Sequence, residues 1–280
     1  MHYLGCLLNL LNTKMKTPVP YGIFHVFFLV TSILFGFILF KRYPIAKEIF
    51  VRRLLLVVSL IVIALEVYKQ INFSFRYENG SISFDYQWYA FPFQFCSTPM
   101  YIGLLASLFK CKRLHDCLCS YLATYSLFAG LCVMLYPTTV FVDTIGINIQ
   151  TMICHGSMVT IGIYLLLSEY VKTELITIRK ALPVFLVLIS MAIIMNEVAY
   201  QVCLLETETF NMFFISPHCP PELPVYSMVQ QIVSFPWCVL IYILAFTIAG
   251  ILMLSFASLL KSFFHNPFAG KGRTHRFIQC

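Results

Sequence analysis

Charged residues are scarce in this chain. Asp, Glu, Lys and Arg make up only 11% of its 280 residues, whereas hydrophobic residues make up 60% and the mean hydropathy is +0.83. A soluble domain carries about 25% charged residues. The scarcity excludes an ordinary soluble protein and indicates a chain that lies mostly in lipid. The net charge of +7 is read as affinity for anionic lipid and gives no reason to expect nucleic-acid binding.

Several familiar catalytic motifs are also missing. The chain contains no Asp-His-His-Cys box, GxSxG elbow, HExxH motif, P-loop or dinucleotide fingerprint, which removes the chemistries that depend on them. Its 11 cysteines form no CxxC pairs flanking histidines at zinc-finger spacing, so we expect neither a metal nor another cofactor. Cys203 and Cys219 near the predicted outer face could form a disulfide in an oxidising compartment.

The chain has long apolar runs instead. Each run holds about 18 to 25 residues, the length that a helix needs to cross ~30 Å of hydrocarbon. Backbone groups in lipid must be satisfied within their own segment, which favours helices. We therefore predict an all-α membrane protein with seven transmembrane helices in residues 21–262, an N-terminal segment before them and a basic tail at residues 263–280. The predicted spans are Tyr21–Phe40, Leu54–Asn72, Phe91–Phe109, Cys117–Tyr136, Asn148–Tyr170, Leu182–Leu205 and Ile232–Leu260.

Lysine and arginine are distributed unevenly between the connections. They concentrate after the first, third, fifth and seventh spans, and such residues are retained in the cytoplasm. Lys14 and Lys16 argue mildly against the resulting orientation but are outnumbered. The pattern predicts an N-terminus outside and a C-terminus in the cytoplasm. We expect a multi-pass protein of the cell membrane, or of the endoplasmic reticulum membrane if the source is eukaryotic.

Ionisable residues enter the predicted spans at a common depth. A charge in the membrane costs at least ~2.5 kcal/mol, so such residues are functional candidates. At ~1.5 Å per residue from the outer boundaries, four of them and one cysteine lie roughly 6 to 12 Å below the outer surface. They are His25, Glu66, Cys96, His155 and Glu197. Gln94, Asn196, Gln230 and Gln231 join this layer, which predicts a polar cavity opening outward.

Two interpretations of this layer compete. Intramembrane polar residues often hold helices together through hydrogen bonds of about 0.6 to 2 kcal/mol each. That explanation suffices for any single residue, whereas the shared depth of the whole set favours a functional site.

Cys96, His155 and Glu66 supply the parts of a nucleophilic triad. A histidine can take the proton of a cysteine, and a carboxylate on the other ring nitrogen would orient the imidazole. A thiol, with a pKa near 8.5, is also ionised more easily beside a histidine than a hydroxyl is. We expect the remaining polar residues to bind head groups or the oxyanion. They are His25, Gln94, Asn196, Glu197 and Gln230.

Short motifs along the membrane region carry a resemblance to a known family. They are Phe24-His25, Leu65-Glu66-Val67-Tyr68, Phe91-Pro92-Phe93-Gln94-Phe95-Cys96, His155 with Ile163-Tyr164-Leu165, Asn211-Met212-Phe213-Phe214 and Phe235-Pro236-Trp237. With these motifs the chain resembles the YwaF-like integral membrane proteins of bacteria, which are distantly similar to the eukaryotic transmembrane protein 164 acyltransferases. The family's usual His-Leu-Cys triplet is Gln94-Phe95-Cys96 here.

The resemblance implies a seven-helix fold and an acyltransferase. The eukaryotic relatives move acyl chains between phospholipids through a Cys and a His, which fall on Cys96 and His155. We therefore expect a membrane phospholipid as acyl donor, a Cys thioester, and a lipid or lipid-linked acceptor. The first alternative is a transporter or binding protein for a small polar or cationic solute, with Glu66, Glu197 and His155 as a relay. The second is a non-enzymatic lipid-binding or assembly subunit.

Overall fold

The protein is mostly helical in the computed structural model, which describes residues 2–78, 80–202, 204–206, 209–220 and 224–264. The α-helices are α1 (His2–Leu11), α2 (Ile23–Arg42), α3 (Glu48–Asn72), α4 (Thr98–Leu108), α5 (Lys112–Tyr121), α6 (Leu127–Leu135), α7 (Ile145–Leu167), α8 (Leu175–Gln201), α9 (Pro224–Ile232) and α10 (Phe235–Phe264). A π-helical turn, Leu122–Ser126, joins α5 to α6.

Five of the described helical runs are long and apolar enough to cross a membrane. They are α2, the run from α5 to α6, α7, α8 and α10. Their Leu-, Ile- and Phe-rich sequences give each run a continuous apolar surface, and α-helical hydrogen bonding satisfies the backbone within lipid. The predicted helical membrane architecture is confirmed at this level, whereas the count of seven spans and the orientation remain predictions.

The predicted third span differs most from the structure. Only α4 is helical there, and its 11 residues extend about 16 Å, roughly half of the hydrocarbon thickness. Residues 91–97 form turns instead. Pro92 lacks a backbone N–H and disfavours a helical conformation of the residue before it. Pro99 lies in the first turn of α4, where proline is tolerated.

The run from α5 to α6 and helix α7 form the centre of the bundle. Most of their residues are buried, whereas α2, α8 and α10 expose apolar side chains on much of their surface. Helix α7 packs against α2, α3 and α6. At Gly130 of α6, a β-carbon would lie only 2.9 Å from the carbonyl oxygen of His155. The glycine therefore lets α6 approach α7 closely, as small residues do between membrane helices.

A β-hairpin and α1 pack together beside α3. Strands β1 (Phe75–Glu78) and β2 (Ser81–Phe84) form an antiparallel hairpin that follows α3. The hydroxyl of Tyr68 donates to the carbonyl of Leu11 at 2.7 Å, which attaches the end of α1 to α3. The sequence did not predict this hairpin or α1.

The N-terminal segment is also attached to the loop before α7. The ammonium of Lys14 lies 2.9 Å from Asp143, and its hydrogen bond lowers the pKa of that carboxyl. The predicted N-terminal segment therefore packs on the bundle.

Two predictions concern parts of the chain that lie outside the described residues. Cys203 and residues 265–280, most of the predicted basic tail, belong there. The thiol of Cys219 donates a hydrogen bond to the carbonyl of Phe210 at 3.3 Å.

Candidate functional site

Cys96 lies in the irregular segment just before α4. The carbonyl of Gln94 accepts from the backbone N–H groups of Ser97 at 2.8 Å and Thr98 at 3.2 Å, and these bonds form the turn. Irregular backbone is tolerated at membrane depth only where it is buried in protein or lines a cavity. The turn therefore holds Cys96 in the interior, two residues before the first residue of α4.

His155 lies in the middle of α7 and is buried. Its Nδ1 is 2.7 Å from the carbonyl oxygen of Thr151, one helical turn earlier. Because a carbonyl can only accept, we assign the proton to Nδ1, which leaves a lone pair on Nε2. Nε2 is buried and has no hydrogen-bond partner among the residues that the structure describes.

Cys96 and His155 are direct neighbours. The imidazole lies close enough to the Cys96 thiol to act on it electrostatically, although His155 Nε2 has no hydrogen-bond partner among the described residues. Catalytic hydrogen bonds are often long or misaligned before substrate binds. The thiol of Cys154, next to His155, donates to the Cys96 carbonyl at 3.6 Å and links α7 to the turn. A thiol and an imidazole thus lie close together where an irregular segment packs against a central helix.

Glu66 lies near this pair but has its own partners. It forms an ion pair with Lys69 at 2.7 Å and accepts hydrogen bonds from Gln70 at 2.7 Å and Gln150 at 3.3 Å. Its side chain is buried. Both Glu66 and Lys69 act electrostatically on Cys96, with opposite signs. The carboxylate is therefore balanced by a neighbouring cation.

The expected contact between Glu66 and the His155 ring is not formed. The Thr151 carbonyl occupies Nδ1, and Nε2 has no hydrogen-bond partner among the described residues. The physical reason is local, because the carbonyl four residues earlier on α7 is already within reach of the ring. The element that orients His155 is thus a backbone carbonyl.

His25 links α2 to α6 through hydrogen bonds. The backbone N–H of Tyr21 donates to Nδ1 at 2.9 Å, and Nε2 donates to the carbonyl of Met134 at 2.8 Å. The ring is completely buried. With both nitrogens occupied, His25 has the contacts of a structural residue and bonds to neither Cys96 nor His155.

Gln94 and Asn196 both bind the turn at Met212–Phe214. The Gln94 amide donates to the carbonyl of Asn211 at 3.2 Å. The Asn196 side chain donates to the Met212 carbonyl at 3.0 Å and accepts from its N–H at 2.7 Å. Phe213 has φ +59°, which bulky residues rarely adopt, so these bonds help to hold an unfavourable backbone conformation.

Glu197 and Gln230 lie apart from the cysteine and histidine. Glu197 is half-exposed and accepts hydrogen bonds from Gln201 at 2.7 Å and His218 at 3.0 Å. The His218 ring stacks on Tyr200 with 3.7 Å between ring centroids. Gln230 lies on α9, and its buried amide oxygen has no hydrogen-bond partner among the described residues. The predicted polar layer thus consists of several separate groups.

Sequence reasoning missed three residues that contact Glu66 or His155. Lys69 was detectable, because a lysine three residues after Glu66 is a neighbour on a helix. Gln150 was visible as a polar residue in the fifth span. The carbonyl of Thr151 left no signal, since every residue has one.

His115 lies outside the predicted spans, yet it is buried on α5. Its Nδ1 lies 2.7 Å from the carbonyl of Ala106, and its Nε2 lies 2.6 Å from the Tyr170 hydroxyl. These contacts join α5 to α4 and to the loop after α7.

Comparison with known proteins agrees with this architecture. The model of the TMEM164 family matches residues 19–255, a range that includes Cys96 and His155 and extends into α10. The comparison with curated proteins gave no match, and the comparison with solved structures gave none either. The apolar helices and the family match together identify a multi-pass membrane protein. Because the match covers most of its length, the chain belongs to the TMEM164 family.

Proposed function

We propose that this protein is a membrane acyltransferase that moves a fatty acyl chain from a phospholipid, through a thioester on Cys96, to a lipid acceptor. One observation carries the proposal. Cys96 lies on an irregular segment beside the unbonded Nε2 of His155, whose Nδ1 is fixed by the Thr151 carbonyl. A nucleophile, a base and an element that orients the base are the parts of covalent acyl transfer. Membership of the TMEM164 family is compatible with this activity.

In the first half-reaction, Nε2 of His155 takes the thiol proton and the Cys96 sulfur attacks the carbonyl carbon of a phospholipid ester. The tetrahedral intermediate collapses as the C–O bond of the ester breaks. The leaving lysophospholipid oxygen takes the proton from His155, and the acyl group stays on the sulfur.

The second half-reaction reverses these roles. His155 removes the proton of the acceptor hydroxyl, whose oxygen attacks the thioester carbonyl. The C–S bond breaks, and the sulfur recovers its proton from His155. No net oxidation or hydrolysis occurs, so each cycle exchanges one ester for another.

Glu66 has a secondary role in this proposal. Paired with Lys69 and bonded by Gln70 and Gln150, it forms a charge-balanced group near the sulfur. A buried pair of this kind holds α3 and α7 in register around the site. It does not need to take part in proton transfer.

The transporter alternative has less support. A relay of titratable groups needs them in contact, but the two acidic candidates have separate partners. Glu66 is paired with Lys69, whereas Glu197 is half-exposed beside His218.

The test is acyl transfer in proteoliposomes from a phosphatidylcholine with a labelled acyl chain to an added lysophospholipid. Cys96→Ala should abolish transfer, and His155→Ala should be nearly as damaging. The double variant should be no worse than Cys96→Ala, because the two residues act as a unit. Cys132→Ala, which removes an exposed cysteine, is the control and should keep activity. Full activity of Cys96→Ala would overturn the proposal.

A further inference from the structure

A narrow crevice lies beside Cys96, between α3, α4, α7 and the π-helical turn. Its volume is about 20 Å³, enough for about one water-sized group. The lining is mostly apolar and includes Val62, Met100 and Met158. A space of this size cannot hold an acyl chain, but it fits a single oxygen atom.

Ser126 supplies an unused hydrogen-bond donor in this crevice. It lies on the π-helical turn and is 99% buried, and its hydroxyl has no hydrogen-bond partner among the described residues. Leaving a buried polar group unpaired costs about 1 to 3 kcal/mol. Single π-helical turns occur frequently at functional sites. The unpaired hydroxyl thus indicates a polar group that arrives with a ligand.

Two small residues line the crevice where α3 and α4 meet. Gly103 of α4 faces Ser59 of α3, and a β-carbon at Gly103 would lie 2.5 Å from the Ser59 hydroxyl oxygen. Both residues line the crevice. Glycine at this position therefore lets α4 pack closely on α3 beside the crevice.

We infer that this crevice is the oxyanion site of the enzyme and that Ser126 donates a hydrogen bond to the acyl carbonyl oxygen during attack by Cys96. The inference rests on the proposed thioester mechanism and adds a catalytic residue to it. As the sulfur attacks, the carbonyl π-electrons move to the oxygen, and the developing negative charge needs a donor. Because the lining is mostly apolar, the local dielectric constant is low and that bond is stronger than it would be in water.

The test uses p-nitrophenyl butyrate as acyl donor, with purified full-length protein in detergent. Acylation of Cys96 releases a burst of nitrophenolate, which is a good leaving group and needs no proton. Formation of the oxyanion therefore limits the rate of this burst. Ser126→Ala should slow the burst by about 10² to 10³-fold while its amplitude stays at one equivalent. Ser126→Thr, which keeps a hydroxyl, should recover much of the rate.

Ser120→Ala is the matched control, because the buried Ser120 hydroxyl already donates to the Asp116 carbonyl at 2.7 Å. Its burst rate should stay within about twofold of the wild type.

Thermal melting separates this role from a structural one. Removing an unpaired buried hydroxyl relieves a penalty, so Ser126→Ala should be at least as stable as the wild type while being slower. A wild-type burst rate in Ser126→Ala would overturn the inference and leave the thioester mechanism intact. If the wild-type protein gives no burst and cannot be distinguished from Cys96→Ala, both the oxyanion inference and the thioester mechanism are overturned.

Discussion

His155 and Thr151 are joined by a 2.7 Å hydrogen bond from the ring Nδ1 to the backbone carbonyl one turn earlier on α7. This bond performs the task that a carboxylate performs in many triads, which is to fix the tautomer and the orientation of the imidazole. A carbonyl is neutral, so it orients the imidazole without adding another charge within the membrane, where charge is costly.

The first prediction concerns Glu66. Glu66→Gln should destabilise the protein, because it leaves the largely buried ammonium of Lys69 without its counter-ion, a loss of order 3–5 kcal/mol for a buried pair. Combining it with Lys69→Met should restore much of the lost thermal stability. Melting curves in detergent measure both effects.

Acyl transfer by the same variants separates two roles of Glu66. The double variant should retain transfer within about tenfold of the wild type, since Thr151 orients the base. A stable Glu66→Gln protein that loses transfer as completely as His155→Ala would show that the carboxylate is essential to the chemistry.

How far the sequence predicted the site depends on the kind of interaction. Cys96 and His155 were chosen as candidates because a reactive side chain and an ionisable one are conspicuous within apolar runs, and the structure places them close together. The orienting carbonyl of Thr151 was not, because backbone groups carry no sequence signal. Glu66 was given that role since a carboxylate is the usual partner, but the lysine three residues later already neutralised it.

Some helices of the fold were predictable from the sequence, whereas the broken third span was not. Composition and run length predicted α2 and α7 to within a few residues. The run Phe91–Phe109 was long enough for a span, yet only Thr98–Leu108 is helical. Hydropathy reports burial and does not distinguish a helix from a buried turn, whereas Pro92 was a local signal of the break.

A second prediction concerns His25, which sequence reasoning assigned to substrate binding. His25→Ala should leave the Tyr21 N–H and the Met134 carbonyl without their partner, at about 1 to 3 kcal/mol for each buried group. The melting temperature should fall, while folded protein at low temperature keeps its transfer rate. Phe27→Ala on the exposed face of α2 is the control. An unchanged melting temperature with lost transfer would instead assign His25 to the substrate.

A third prediction tests the orientation. In variants that keep a single cysteine, Cys6 on α1 should react with a membrane-impermeant maleimide in intact cells. Cys111, in the connection between α4 and α5, should react only after permeabilisation. Both residues are exposed. Labelling of the two from the same side would contradict an N-terminus outside and a cytoplasmic connection after the third predicted span.

The most direct test of the account is to locate the acyl group on the protein. Wild-type protein is mixed with a phospholipid carrying a labelled acyl chain, quenched with acid before an acceptor is added, and examined by mass spectrometry of its peptides. We predict one acyl group on the peptide that contains Cys96, removed by neutral hydroxylamine, which cleaves thioesters, and absent from Cys96→Ala. An acyl group on another residue, or none on protein that is active in transfer, would contradict covalent catalysis by Cys96.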